Sequence, residues 1–377
     1  MRDLAPPLEL TGLTPAPSQV CGTFRLVPLL RERDCDDLRL VDAGWEPGTR
    51  IVHDASDTVY VGFVPHAFHL EWGTALGTQL KGRRDRGRES ILAHRQSKRI
   101  AAGKLRFLPQ NLAIEGLLTM HFNPPAIAWP ELSEAFMRDG LGCRAESFSD
   151  GHDIPGYDTA LRTFEIHERQ VGMLVFVSDA LAAAFVVPSP RDYRALHHTL
   201  LNSLYGDLMV IYACNQPTRW IVDPTPHFRG ATTVAELRDG LASLRRDWAA
   251  ATTDVLLGDW RDRGLRTETV YSLPGMRLER FVTSLELGQA NHIGERIVRD
   301  DGELLHLNTL RLSTAQTRRA HLLSVLGEHQ WHLDSAAQAL GINVPSLVAR
   351  LEAQGFGHLV NHNFREQAAK ARRLGGG

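Results

Sequence analysis

Apolar residues recur in two rhythms along this chain. In the N-terminal part, short runs rich in β-branched and aromatic residues, at 23–29 (TFRLVPL), 49–53 and 58–64 (TVYVGFV), are broken by Gly, Pro and Asp, which predicts strands of one sheet. Residues 157–188 are the most apolar stretch, with GMLVFV at 172–177 and AAAFVV at 182–187, and continuous apolar runs of this length predict a buried strand pair. Helical spacing then takes over. Pro190 opens a helix in which Leu196, Leu200, Leu204, Leu208 and Ile211 recur three or four residues apart, closing a first unit near Asn215. A shorter helix is predicted at 130–140, where Pro130 occupies the first turn and acidic residues sit near its positive end.

Beyond Pro217 the composition changes. Thr233 and Glu236 form a capping box ahead of Leu237, Leu241 and Leu244, predicting a helix to about Ala250. Strands are predicted at 278–287 and 296–300, and Asp301-Gly302 between IVRD and ELLHLNTL is a hairpin turn signal. The predicted fold class is α+β. A mixed or antiparallel sheet domain with packed helices (21–215) follows a Pro-rich flexible N-terminus (1–20), and a smaller α+β segment (216–312) leads to a three-helix module with a basic tail (313–377).

That last module carries a recognisable plan. A helix with Leu322, Leu323, Val325 and Leu326 precedes a short one at 333–340, Gly341 supplies a tight turn, and Asn343 caps a third helix whose Leu347 and Leu351 point inward. Ala336-Ala337, Leu340-Gly341-Ile342, Leu347, Arg350-Leu351 and Gly355 together resemble the helix-turn-helix of the Fis family and related bacterial enhancer-binding regulators, over about 40 residues. The resemblance implies DNA contact by Asn343, Ser346 and Arg350, with Arg372 and Arg373 of the tail on phosphates. The third helix departs from the family in carrying Arg350 as its single basic residue. A helical docking or dimerisation module is the alternative reading.

Charge adds one feature to this picture. The chain's formal charge is −2, with 43% hydrophobic and 23% charged residues, which excludes disordered, collagen-like and coiled-coil classes and a wholly basic coat protein. Residues 81–106 nevertheless hold ten Lys and Arg against Asp85 and Glu89. Within them Arg95, Gln96, Lys98 and Arg99, joined by Arg162, have the chemistry to bind phosphate; a solvated charged face is the alternative. The first twenty residues lack the apolar core of a signal peptide and no run approaches a membrane span, so a cytoplasmic protein without membrane contact is expected. Cys21, Cys35, Cys143 and Cys214 form no CxxC pair, and His66/His69, His329/His332 and His358/His362 lack a third ligand. Reduced thiols, no metal and no cofactor are therefore expected.

No phosphate-binding loop, dinucleotide fingerprint, nucleophile elbow or zinc-protease motif is present. The catalytic alternative is His167 with Glu165, Glu168 or Asp179, near Asp192, Arg194 and His197: a hydrolase or transferase acting on a nucleotide or ADP-ribose derivative. Against it stands a polar sheet end tied by ion pairs. The run 161–213, with HERQVGMLVFVSDALAAAFVVPSPRDYRALHHTLLNSLYGDLMVIYA from His167 onward, and RQSKRIAAGKLRFLPQNLAIEGLL resemble a bacterial domain family named for association with ADP-ribosylglycohydrolases and rhodanese or phosphatase-superfamily proteins, over about 22–215. The resemblance implies a setting of NAD- or ADP-ribose-linked conflict, defence or repair, and it carries over no catalytic residue. The expected partners are DNA or RNA, a nucleotide-like anion and a protein of the same system. A homo-oligomer pairing through the helix from Pro190 is a third reading.

Overall fold

β8 (Gln170–Val177) is buried at every residue, and β9 (Ala180–Val186) at all but its first. Between them Ser178 and Asp179 take φ of 48° and 60°, as the two central residues of a type I′ turn do, and that turn's twist matches the strands it joins. Gly172 is needed here because a Cβ on it would overlap the carbonyl oxygen of Phe185. This hairpin is the strand pair expected at 172–177 and 182–187. It belongs to a computed structural model describing residues 8–22, 24–40, 49–53, 58–62, 72–74, 121–122, 164–200, 221–354 and 356–374.

The hairpin lies inside a sheet of nine described strands, all paired antiparallel. β1 (Leu13–Pro15) and β2 (Gln19–Cys21) share one edge of β3 (Phe24–Arg31), whose other edge takes β8. Beyond β9 the order is β13 (Leu304–Leu312), β12 (Asn291–Arg299), β11 (Met276–Thr283) and β10 (Leu265–Leu273). β13 pairs with β9 from Leu307↔Val186 to Leu310↔Ala183, so the composition change after Pro217 marks no break in the sheet.

The strands at 49–53 and 58–62 do not join β3, correcting the single sheet expected. β4 (Leu38–Leu40), β5 (Thr49–His53), β6 (Thr58–Gly62) and β7 (Trp72–Thr74) form a separate antiparallel meander. β3 has no free edge for them, since β1 and β2 fill one side and β8 the other. Short connections favour pairing with the chain neighbour instead.

Alternation along β8 sends Met173, Val175 and Val177 to one face and Leu174 and Phe176 to the other. The first face shares an apolar cluster with Tyr193, Leu196 and Leu200 of the segment begun by α1 (Pro190–Thr199), which Ser189 caps through the Asp192 N–H. The second face packs against Leu256, Leu257 and Trp260, in the helical turns that follow α2 (Val234–Ala251). α2 begins with the predicted capping box, Thr233 and Glu236 bonding reciprocally, and it buries Gly240, Leu244 and Trp248 while Leu237 and Leu241 stay exposed. Four C-terminal helices, α3 (Thr314–Glu328), α4 (Leu333–Ala339), α5 (Val344–Ala353) and α6 (His362–Leu374), join the cluster on the first face through Leu322, Leu326, Ala336, Leu347, Leu351 and Ala368. Each such fully buried Leu contributes about 2 kcal/mol. Among the described residues no helix is long and apolar enough to cross a membrane.

Candidate functional site

The proposed catalytic residues are not brought together. Glu165 and His167 lie exposed in the turn that enters β8, where His167 Nδ1 accepts the Arg169 N–H at 3.3 Å and the His167 N–H donates to Gln170 Oε1 at 3.0 Å. Asp179 sits beyond the other end of the strand, and eight residues at about 3.3 Å each put roughly 26 Å between them. The Asp179 carboxylate serves Arg25 instead, accepting from its Nε at 2.9 Å; that side chain is fully buried in β3 and also donates to Ser18 Oγ at 2.9 Å. Arg194 donates to the Glu168 carbonyl at 2.7 Å. His197 is occupied at both nitrogens: the Phe164 carbonyl can only accept, so Nε2 carries the proton, leaving Nδ1 to accept from Tyr193 Oη at 3.0 Å. Arg95, Gln96, Lys98, Arg99 and Arg162 lie outside the described residues, as do the rest of 81–106 and the helix predicted at 130–140.

In the C-terminal module, α4 ends in a Schellman turn. Gly341 takes φ 66°, its N–H donates to Gln338 O at 3.0 Å, and the Ile342 N–H reaches Ala337 O at 3.0 Å. α3 ends the same way, with the Trp331 N–H on Leu326 O at 2.7 Å and the Gln330 N–H on Gly327 O at 3.1 Å. Asn343 caps α5, its side-chain oxygen accepting the Ser346 N–H at 2.9 Å. Asn343, Ser346 and Arg350 are all exposed, three and four residues apart, and so share one outward stripe, while Leu347, Val348 and Leu351 face inward. Arg319 of α3 lies 4.6 Å from the centre of the Phe356 ring, and Arg365 of α6 donates to Glu352 Oε1 at 3.1 Å, tying α6 to α5. Lys370 and Arg373 of α6 are exposed, and Arg372 lies between them in the same helix.

Two polar clusters were not visible in the sequence. The first latches the β12–β13 hairpin to the loop after β3. Arg299 grips both Asp37 oxygens at 2.7 Å and donates through Nε to Glu303 Oε2 at 2.9 Å, while Arg31 donates to Glu303 Oε1 at 2.8 Å. The Arg299 hydrogen bonds hold the Asp37 carboxyl below the usual carboxylate range. Burial pushes the adjacent Cys35 thiol up to about 11, with the Asp37 hydrogen bond adding to it, so Cys35 is an unreactive thiol at neutral pH.

The second cluster lies at the start of β12. Thr283 and Asn291 hold the intervening loop: Thr283 Oγ1 donates to Asn291 Oδ1 at 3.1 Å, and Asn291 Nδ2 donates to the Glu286 and Gln289 carbonyls at 2.8 and 3.1 Å. Gln289 is thereby placed against Arg263 Nη2, whose Nε donates to the Asp259 carbonyl at 3.2 Å. Next to it His292 donates from Nε2 to Leu181 O at 2.9 Å, and its ring centre lies 5.6 Å from that of Trp260. Burial pushes the His292 pKa down to about 4; the Leu181 carbonyl opposes this and the charges of Arg311 and Arg263 add to it, so the imidazole is neutral at neutral pH. Nothing in the spacing of Trp260, Arg263, His292 and Arg311 announces the cluster. Its one trace is polar residues inside the buried strands β12 and β13.

Among the described residues no group of three or more His, Cys, Asp or Glu is arranged to hold a metal ion. No curated protein and no solved structure matches the chain. A family model, ARPP-2, does, over residues 8–274, a wider span than the 22–215 of the resemblance; it crosses Pro217 and ends in the turn between β10 and β11. With most of its length matched in this way, the chain belongs to the ARPP-2 family.

Proposed function

We propose that this chain is a cytoplasmic, non-catalytic accessory or regulatory protein of an ADP-ribose-linked defence or repair system, and that it contacts DNA through α4, the Gly341 turn and α5, acting as a Fis-type helix-turn-helix. One observation carries the reading: a Schellman turn joins two short helices and leaves Asn343, Ser346 and Arg350 on a single exposed stripe. α6 adds Lys370, Arg372 and Arg373 for phosphates. Residues 81–106, with Arg95, Lys98 and Arg99, supply further backbone contacts in this reading. The distance between His167 and Asp179 counts against the catalytic alternative.

The test is fluorescence anisotropy of the full chain on a short DNA duplex at several salt concentrations. The four phosphate contacts of the C-terminal module alone, from Arg350, Lys370, Arg372 and Arg373, predict affinity falling by at least about 150-fold between 50 and 200 mM salt, and contacts from residues 81–106 steepen the fall. Arg350→Ala is expected to lose about tenfold. Absence of binding at 50 mM salt, or binding indifferent to both salt and Arg350, refutes the proposal.

A further inference from the structure

Three side chains at the corner of β12 and the turn at 257–263 are more than nine-tenths buried and keep a polar atom without a partner. Trp260 Nε1, Arg263 Nη1 and His292 Nδ1 all lack one, at exposures of 4%, 8% and 2%. Leaving such groups unsatisfied costs free energy, most of all for a guanidinium. Among the described residues Arg263 has no carboxylate within ion-pair distance; Glu286 reaches it through Gln289, whose Nε2 donates to Glu286 Oε2 at 2.6 Å. Arg311 is the cross-strand partner of His292, so both side chains leave the sheet on the same face, and among the described residues Arg311 too is without a carboxylate partner. It is the partly exposed member, on the solvent side of the corner.

The chemistry of the set is specific. Two guanidiniums and an indole N–H are donors only. His292, with its proton fixed on Nε2 by the Leu181 carbonyl, presents a bare Nδ1 that accepts only. The ligand these atoms complement is an anion rich in acceptors that still bears one hydrogen. Trp260 and Arg263 come from the turn packed on this face and His292 and Arg311 from the strands beneath it, so the donors and the acceptor belong to two layers, as a compact three-dimensional anion requires. From this geometry we propose that Trp260, Arg263, His292 and Arg311 form a binding site for a protonated phosphate group, either the inorganic ion or the end of a phosphomonoester. The site is on the sheet face opposite the C-terminal helices and does not rest on the DNA reading.

Calorimetric titration of the full chain with inorganic phosphate, at constant ionic strength in chloride, tests the proposal. One saturable site is expected. Sulfate, which has no hydrogen to offer His292 at neutral pH, and planar bicarbonate are each expected to bind at least about tenfold more weakly. Trp260→Phe keeps the ring and removes the N–H, and is expected to weaken phosphate by about tenfold; Arg311→Gln at the partly exposed position is expected to abolish binding without changing the circular dichroism. Competition by adenosine monophosphate identifies a phosphomonoester source and its exclusion identifies the free ion; either supports the site. Absence of saturable binding overturns the proposal, as do sulfate or bicarbonate matching phosphate, or both variants binding as the parent does.

Discussion

Two histidines buried without charge make the fold sensitive to mild acid, and the size of the effect follows from the structure. His292 and His306 are fully enclosed in β12 and β13, and burial pushes each pKa down to about 4, outweighing the opposing bonds from Leu181 and Val186. In the unfolded chain both return to about 6.5, so between pH 6.5 and 4 the unfolded state binds the extra protons. Stability is therefore complete above about pH 6.5, falls as the pH drops, and levels off below about 4. The full separation is worth about 3 kcal/mol for each ring, and about 2 kcal/mol of it is lost by pH 5. Together that is about 4 kcal/mol, a large share of the roughly 5–15 kcal/mol typical of a folded domain. Urea unfolding followed by tryptophan fluorescence, at about pH 7.5 and pH 5 in phosphate-free buffer, measures it. The double variant His292→Gln, His306→Gln should flatten the dependence and each single variant should halve it. Equal stability at the two pH values, or an undiminished slope in the double variant, refutes the assignment of this sensitivity to these rings. Asp37, whose pKa is depressed, acts below the usual carboxylate value and so outside this window.

Gly172→Ala is expected to destabilise by about 3 kcal/mol, because its methyl group collides with the Phe185 backbone and the β8–β9 pair must part; thermal unfolding reads the loss, and a change under 0.5 kcal/mol contradicts the close approach. Arg280 and Glu295 face each other across β11 and β12 at 3.2 Å with both side chains buried, so Glu295→Ala should cost about 3–5 kcal/mol while the apolar pair Arg280→Met with Glu295→Leu recovers most of it, as chemical denaturation of the three proteins would show.

Local signals were legible in the sequence. The apolar runs gave β8 and β9, Thr233 with Glu236 gave the start of α2, Asp301-Gly302 gave the β12–β13 turn, and Gly341 with Asn343 gave the α4–α5 junction. Each depends on residues a few positions apart. What escaped depends on distant partners. β10 is an edge strand whose middle is mostly half-exposed and polar, so TETVYS carries little apolar alternation. The split into two sheets turns on which edges of β3 are already occupied, and no local pattern encodes that. β12 buries His292, Glu295 and Asn291 among its apolar residues because both of its faces are covered, which blurs the period of two. The phosphate corner draws one residue each from β12 and β13 and two from the 258–263 turn, so it exists only after those strands are laid side by side.

The place of β13 in the sheet bears on how the chain is made. β9 leaves the ribosome more than a hundred residues before Leu307–Leu310, its neighbour on the far side, and until then its backbone N–H and C=O groups line an open, apolar edge. The matched family segment ends at residue 274, upstream of the strand that covers this edge. A nascent or truncated chain stopping there presents a ready template for a foreign strand. The strand that closes this edge thus belongs to the segment after residue 274, and the sheet is complete only when that segment is present.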